Sequence, residues 1–160
     1  MAEAVGLAAS ILALAQAGWS VAKGLHDLAD EVGSAGEAVR IFANDFSLFM
    51  ETVETLGSLF DSLPPASRRI QSTTEELLDV AMEQIVTPFQ AMLANLEPLL
   101  VRWSNSPSRM IQLGKRLQWA FSYKNKVLFY HSALNALKGN ASLLLQTMTL
   151  RGQNPPHVHL

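Results

Sequence analysis

The chain has 160 residues, of which 49% are hydrophobic and only 16% charged, with no cysteine. A sequence so apolar offsets its ordering entropy and is not intrinsically disordered, and without thiols it is neither a disulfide scaffold nor a thiolate metal or cysteine-nucleophile protein. The net charge of −2 hides a segregation: all 14 acidic residues lie between Glu3 and Glu97. Only four basic residues accompany them, giving −10, whereas residues 98–160 hold no carboxylate and eight basic residues, giving +8. Such poles pair with each other inside a fold, or leave a basic face for anionic lipid or nucleic acid.

The first element is a helix whose residues Leu7, Ile11, Leu14, Gly18, Val21, Leu25, Leu28 and Val32 recur in steps of four and three. Residues 4–22 are uncharged and include seven alanines and two glycines. Nineteen helical residues reach about 28 Å, close to the thickness of a bilayer's hydrocarbon core. The composition makes constitutive insertion marginal. Glu3 stands where a secretory signal would carry positive charge, so an intracellular chain is expected. Gly6, Ser10, Ala13, Ala17, Gly18 and Ala22 form ridges of small residues. They suit either a helix buried at a bundle centre or one that self-associates in a bilayer. Trp19 suits both settings, as a core ring or an interfacial anchor.

Gly33-Ser34-Ala35-Gly36 breaks this helix from a second, whose seam is Val39, Phe42, Phe46, Phe49, Val53, Leu56 and Phe60. Pro64-Pro65 ends it, and a third seam follows through Leu78, Met82, Ile85, Phe89, Met92, Leu96, Leu99 and Trp103, with kinks expected at Pro88 and Pro98. Ser72-Thr73-Thr74-Glu75-Glu76 offers capping residues near its start, with a start at about Ser67 as the alternative. A loop at residues 104–108 and a short helical piece at 109–120 precede the last helix, over about residues 124–150. Its seam is Val127, Tyr130, Leu134, Leu137, Ala141, Leu144 and Met148. Four 3.5-residue seams and no period-two run predict an all-α, up-and-down bundle of four long antiparallel helices with one extra short helix before the last. The bundle spans residues 1–150, and 151–160 read as a linker or flexible tail, as in a module of a longer chain.

Catalytic patterns are missing. There is no glycine-rich phosphate loop, no Gly-x-Ser-x-Gly elbow and no His-Glu-x-x-His. His26 and His131 lack a partner at ligand spacing, and His157 and His159 sit in the tail. Neither an enzyme, a metal nor a cofactor is expected. Lys115, Arg116, Lys124 and Lys126 are too few, and too far from any recognised reader motif, to point to nucleic acid.

Two blocks carry a family resemblance. The opening Met-Ala-Glu-Ala-Val-Gly-Leu-Ala-Ala-Ser-Ile-Leu-Ala-Leu-Ala-Gln-Ala-Gly is followed by Val21-Ala22-Lys23-Gly24-Leu25. The late block Lys115-Arg116-Leu117-Gln118-Trp119-Ala120-Phe121 precedes a helix with Leu134, Leu137, Lys138, Ser142 and Leu143. Together they resemble the HeLo-like domain at the amino terminus of fungal STAND (NLR-type) receptors, over residues 2–150. The resemblance implies a cytoplasmic cell-death bundle of programmed cell death and heterokaryon incompatibility. Such a bundle is clustered by its receptor or by an amyloid signal, moves to the plasma membrane and permeabilises it with its first helix. Carried onto this chain, Val5, Leu7, Ile11, Leu12, Leu14, Trp19 and Val21 would meet the membrane. Charge adds Arg102, Arg109, Lys115, Arg116, Lys124 and Lys126 as a basic, anionic-lipid-facing patch. The alternative is a non-enzymatic interaction module that brings receptors together through helix faces and never touches lipid.

Overall fold

The computed structural model describes residues 2–62, 68–104 and 124–153. They form an all-helical bundle: α1 (Ala2–Val32), a 3-10 turn (Gly33–Gly36), α2 (Glu37–Asp61), α3 (Arg68–Ala81), a π turn (Met82–Val86), α4 (Thr87–Ser104) and α5 (Lys124–Gln153). The expected short helix at 109–120 lies outside the described residues. Gly33 takes φ of 66°, the left-handed value that lets α1 stop and the chain reverse. The reversal lays α2 antiparallel along α1, so that Leu12 lies by Gly57, Trp19 by Glu54, and Asp30 by Arg40.

The long rods alternate in direction along the chain, as the up-and-down bundle predicts. α1 runs parallel to α4, with Gly18 near Phe89 and Gly24 near Leu100. α2 runs beside α5, where Asp45 meets His131. Two antiparallel hairpins, α1/α2 and α4/α5, are thus packed side by side. α2 meets the α3–α4 rod across the core through aromatic rings: Phe89 lies 5.8 Å from Phe46 and 5.2 Å from Phe49, centroid to centroid. These rings are fully buried, and every member of the first two seams is buried with them.

The third seam is buried from Leu78 to Leu96 except at Met82, with Leu99 half-buried and the Trp103 side chain outside the described set. Met82 is exposed, while Ala81, Ile85 and Val86 are buried. The cause is the π turn, which inserts an extra residue and rotates the face. Its own cause lies at Pro88, which has no N–H to offer the carbonyl four residues earlier and whose ring crowds that group. That carbonyl belongs to Gln84, and it accepts a 3.2 Å hydrogen bond from Asn140 Nδ2 on α5. The irregularity therefore precedes Pro88, and α4 runs on through Pro98.

Candidate functional site

α1 presents two contrasting faces. Leu7, Ile11, Leu14 and Val21 are buried in the core, whereas Leu12 and Trp19 reach the surface. The side chain of Val5 lies outside the described set. The small residues divide the same way. Gly18 and Ala22 face inward, and a Cβ at Gly18 would collide with the Met50 sulfur and sit 3.2 Å from Phe89 Cζ. Gly6, Ser10 and Ala13 are exposed, Ala17 is half-buried, and nothing stands within 4 Å of a Cβ placed on Gly6. Ser10 turns its hydroxyl onto the Gly6 carbonyl at 2.9 Å, which leaves a flat surface of small groups. Among the described residues no helix is long and apolar enough to cross a membrane.

Burial fixes how α1 is held. Seven large aliphatics, Leu7, Ile11, Leu14, Val21, Leu25, Leu28 and Val32, are taken out of water along one line. At about 1.5–3 kcal/mol each, their burial is worth about 10–20 kcal/mol, comparable with the whole stability of a domain. α1 therefore leaves α2 and α4 only when another apolar environment receives that face.

Of the six basic patch residues, Arg102, Lys124 and Lys126 are exposed, and Arg109, Lys115 and Arg116 lie outside the described residues. The structure brings Arg102 and Lys126 together across a groove between α4 and α5, lined also by Leu99, Phe129 and Tyr130. A second trough continues from it along the same two helices to Gln84 and Asn140.

The polar groups between α2 and its neighbours escaped the sequence reading, because their partners lie far apart in the chain. His131 Nε2 lies 2.6 Å from Asp45 Oδ2, with Lys138 Nζ 3.7 Å from the other carboxylate oxygen. The hydrogen bond from His131, aided by the lysine's charge, holds the Asp45 carboxyl below its ordinary range against the opposing effect of burial. On the other flank of α2, His26 Nε2 stands 3.2 Å from Ser47 Oγ. Ser47 and Asp45 on α2, each beside a histidine of a different neighbouring helix, invite comparison with a hydrolytic triad, but the connections differ. The Ser47 hydroxyl donates to the Ala43 carbonyl at 2.9 Å, so the His26 imidazole donates its hydrogen bond to the serine oxygen and accepts none from it. The aspartate orients the other histidine. No group of three or more metal-ligating side chains occurs among the described residues.

No family model, no curated protein and no solved structure matches this chain.

Proposed function

We propose that this chain is a non-enzymatic helical cell-death effector domain of the HeLo-like type, held at rest by the packing of α1 and acting on the plasma membrane after clustering. The observation that supports it is the division of α1 into a deeply buried aliphatic seam and an exposed face of small residues. A helix with that pattern has two environments available to its apolar side: the bundle core and the acyl region beneath lipid headgroups. Since no described helix is apolar enough to cross alone, α1 works in the interface. Its aliphatic seam faces the acyl chains, and its small-residue face packs on neighbouring copies. Arg102, Lys124 and Lys126 would draw the bundle to anionic lipid at about 1 kcal/mol each. Clustering, by self-association or by a receptor or amyloid-signalling partner, supplies many copies at one place. The chain then moves from cytoplasm to membrane.

The test is a tether on a chain that has no cysteine of its own. Leu12 Cγ lies 3.4 Å from the position of a Cβ on Gly57, within reach of a disulfide between Leu12→Cys and Gly57→Cys. Clustered reduced protein should release dye from anionic liposomes, and oxidised protein should not. Equal release from both, or none from the reduced form, overturns the proposal.

The depth of α1 burial favours one second reading, a receptor-clustering module that never meets lipid. Under that reading the reduced protein fails to sediment with vesicles of any composition.

A further inference from the structure

α1 changes character along its length. Residues 4–22 hold no charge, whereas residues 23–32 hold Lys23, Asp27, Asp30 and Glu31 beside His26. The contacts with the rest of the bundle change at the same place. Beyond Lys23, His26 Nε2 lies 3.2 Å from Ser47 Oγ on α2. Arg40, also on α2, donates back to Asp30 at 2.9 Å and to the Ala29 carbonyl at 3.4 Å. α1 has no basic residue in its own last turn, so Arg40 supplies the cation that the negative end of the helix dipole favours. These polar ties accompany Leu25, Leu28, Ala29 and Val32, none of which is more than 7% exposed.

The part before Lys23 is held differently. Among the described residues its one side-chain bond to another helix runs from Trp19 to Glu54, at the surface. Beneath it, a small apolar void lies between Ile11 and Leu14 and the π turn at Ile85 and Val86. Lining atoms of a void lack contacts on one side, so packing is weakest there.

Lipid sorts the two parts in the same way. The uncharged part can lie against acyl chains. Asp27, Asp30 and Glu31 would be repelled by anionic headgroups, and burying them among acyl chains would cost their hydration. Moving residues 2–22 alone uncovers Leu7, Ile11, Leu14 and Val21, four of the seven large aliphatics of the α1 seam. Leu25, Leu28 and Val32 then keep their places in the core, and every polar tie beyond Lys23 stays made.

We infer that α1 divides at Lys23 when the domain acts: residues 2–22 leave the bundle for lipid, and residues 24–32 stay docked on α2 and α4 as the anchor of the released arm. The inference rests on the membrane reading and deepens it, by fixing how much of α1 moves. The opposing arrangement is a swing of the whole helix about the Gly33–Gly36 turn, which breaks the His26 and Arg40 contacts together.

A tether beyond the division separates the two. A Cβ on Gly24 would lie 3.7 Å from Leu100 Cβ on α4, the spacing of a disulfide. Clustered Gly24→Cys/Leu100→Cys protein should release dye from anionic liposomes when oxidised as it does when reduced, whereas the Leu12–Gly57 tether abolishes release. Loss of release on oxidation of the Gly24–Leu100 pair would overturn the division and leave the membrane reading standing. No release from the wild type would overturn that reading and the division with it. Single cysteines carrying a fluorophore give a second measurement, in a chain otherwise free of thiols. On clustered protein at vesicles with spin-labelled acyl chains, a label at Leu12→Cys should be quenched and one at Asp27→Cys should not. Quenching at both positions, or at neither, would overturn the division. Circular dichroism of each variant in solution checks that the bundle is folded.

Discussion

The Trp19 indole donates a 2.7 Å hydrogen bond from Nε1 to Glu54 Oε1, joining the outer surface of α1 to that of α2. The bond sits above the buried seam, at a place where both side chains are in contact with water. It closes the α1/α2 hairpin without belonging to the core. Glu54→Ala should therefore cost only about 0.5–1.5 kcal/mol in chemical denaturation. It should also shift the emission of Trp19, measured with Trp103 and Trp119 replaced by phenylalanine, and lower the degree of clustering needed for liposome leakage. Unaltered leakage despite the altered emission would separate this bond from the release of α1.

Two glycines on α1 should respond in opposite directions to one added methyl group. Gly18→Ala forces a Cβ onto the Met50 sulfur inside a packed core. It should destabilise the bundle by about 1–3 kcal/mol, as overpacking does. Gly6→Ala meets open space within a helix and should stabilise by about 0.5–1 kcal/mol. Thermal unfolding of both variants measures the pair. A loss of stability in Gly6→Ala would mean that its exposed face is already covered in solution.

The seams were legible because heptad spacing reports burial directly: each seam position of α1, from Leu7 to Val32, is in the core. Met82 was not, since a π turn shifts the phase without leaving a periodic mark, although Pro88 pointed to trouble at Gln84. Trp19 chose the surface because its N–H found a carboxylate 35 positions away, a pairing that local pattern does not encode. The Asp45–His131 contact is longer still in sequence, 86 positions. The charge poles meet at that point, where Asp45 of the acidic part faces His131 and Lys138 of the basic part, as complementarity inside the fold requires.

Asp45 sets an acid limb to the stability curve. Its carboxyl is held below the ordinary value by the His131 hydrogen bond, so the folded chain binds fewer protons there than the unfolded one. The resulting stabilisation is fully present above the ordinary carboxylate pKa and disappears as pH falls through the lowered one. Asp45→Asn should be less stable than wild type at neutral pH by an amount on the order of 1 kcal/mol. The difference should shrink below about pH 4 and vanish in stronger acid. Urea titrations at several pH values check it, and a gap that persists into strong acid would assign the loss to packing of the asparagine.

Two phenylalanines separate what holds the bundle together from what it leaves in water. Phe89 is fully buried against Phe46 and Phe49, at the junction where α2 meets the rod formed by α3 and α4. Phe89→Ala removes a ring from that aromatic cluster and should cost about 3–5 kcal/mol, enough to unfold a marginal bundle. Phe129 stands 69% exposed on α5, with its ring edge-on to Tyr130 at 5.5 Å. Phe129→Ala should change the stability of the bundle by no more than about 0.5 kcal/mol. Thermal melts of the two variants decide the point. The midpoint of Phe89→Ala should fall far below that of the wild type, that of Phe129→Ala should stay close to it, and a large fall for Phe129→Ala would mean that its ring on Tyr130 helps to hold α5.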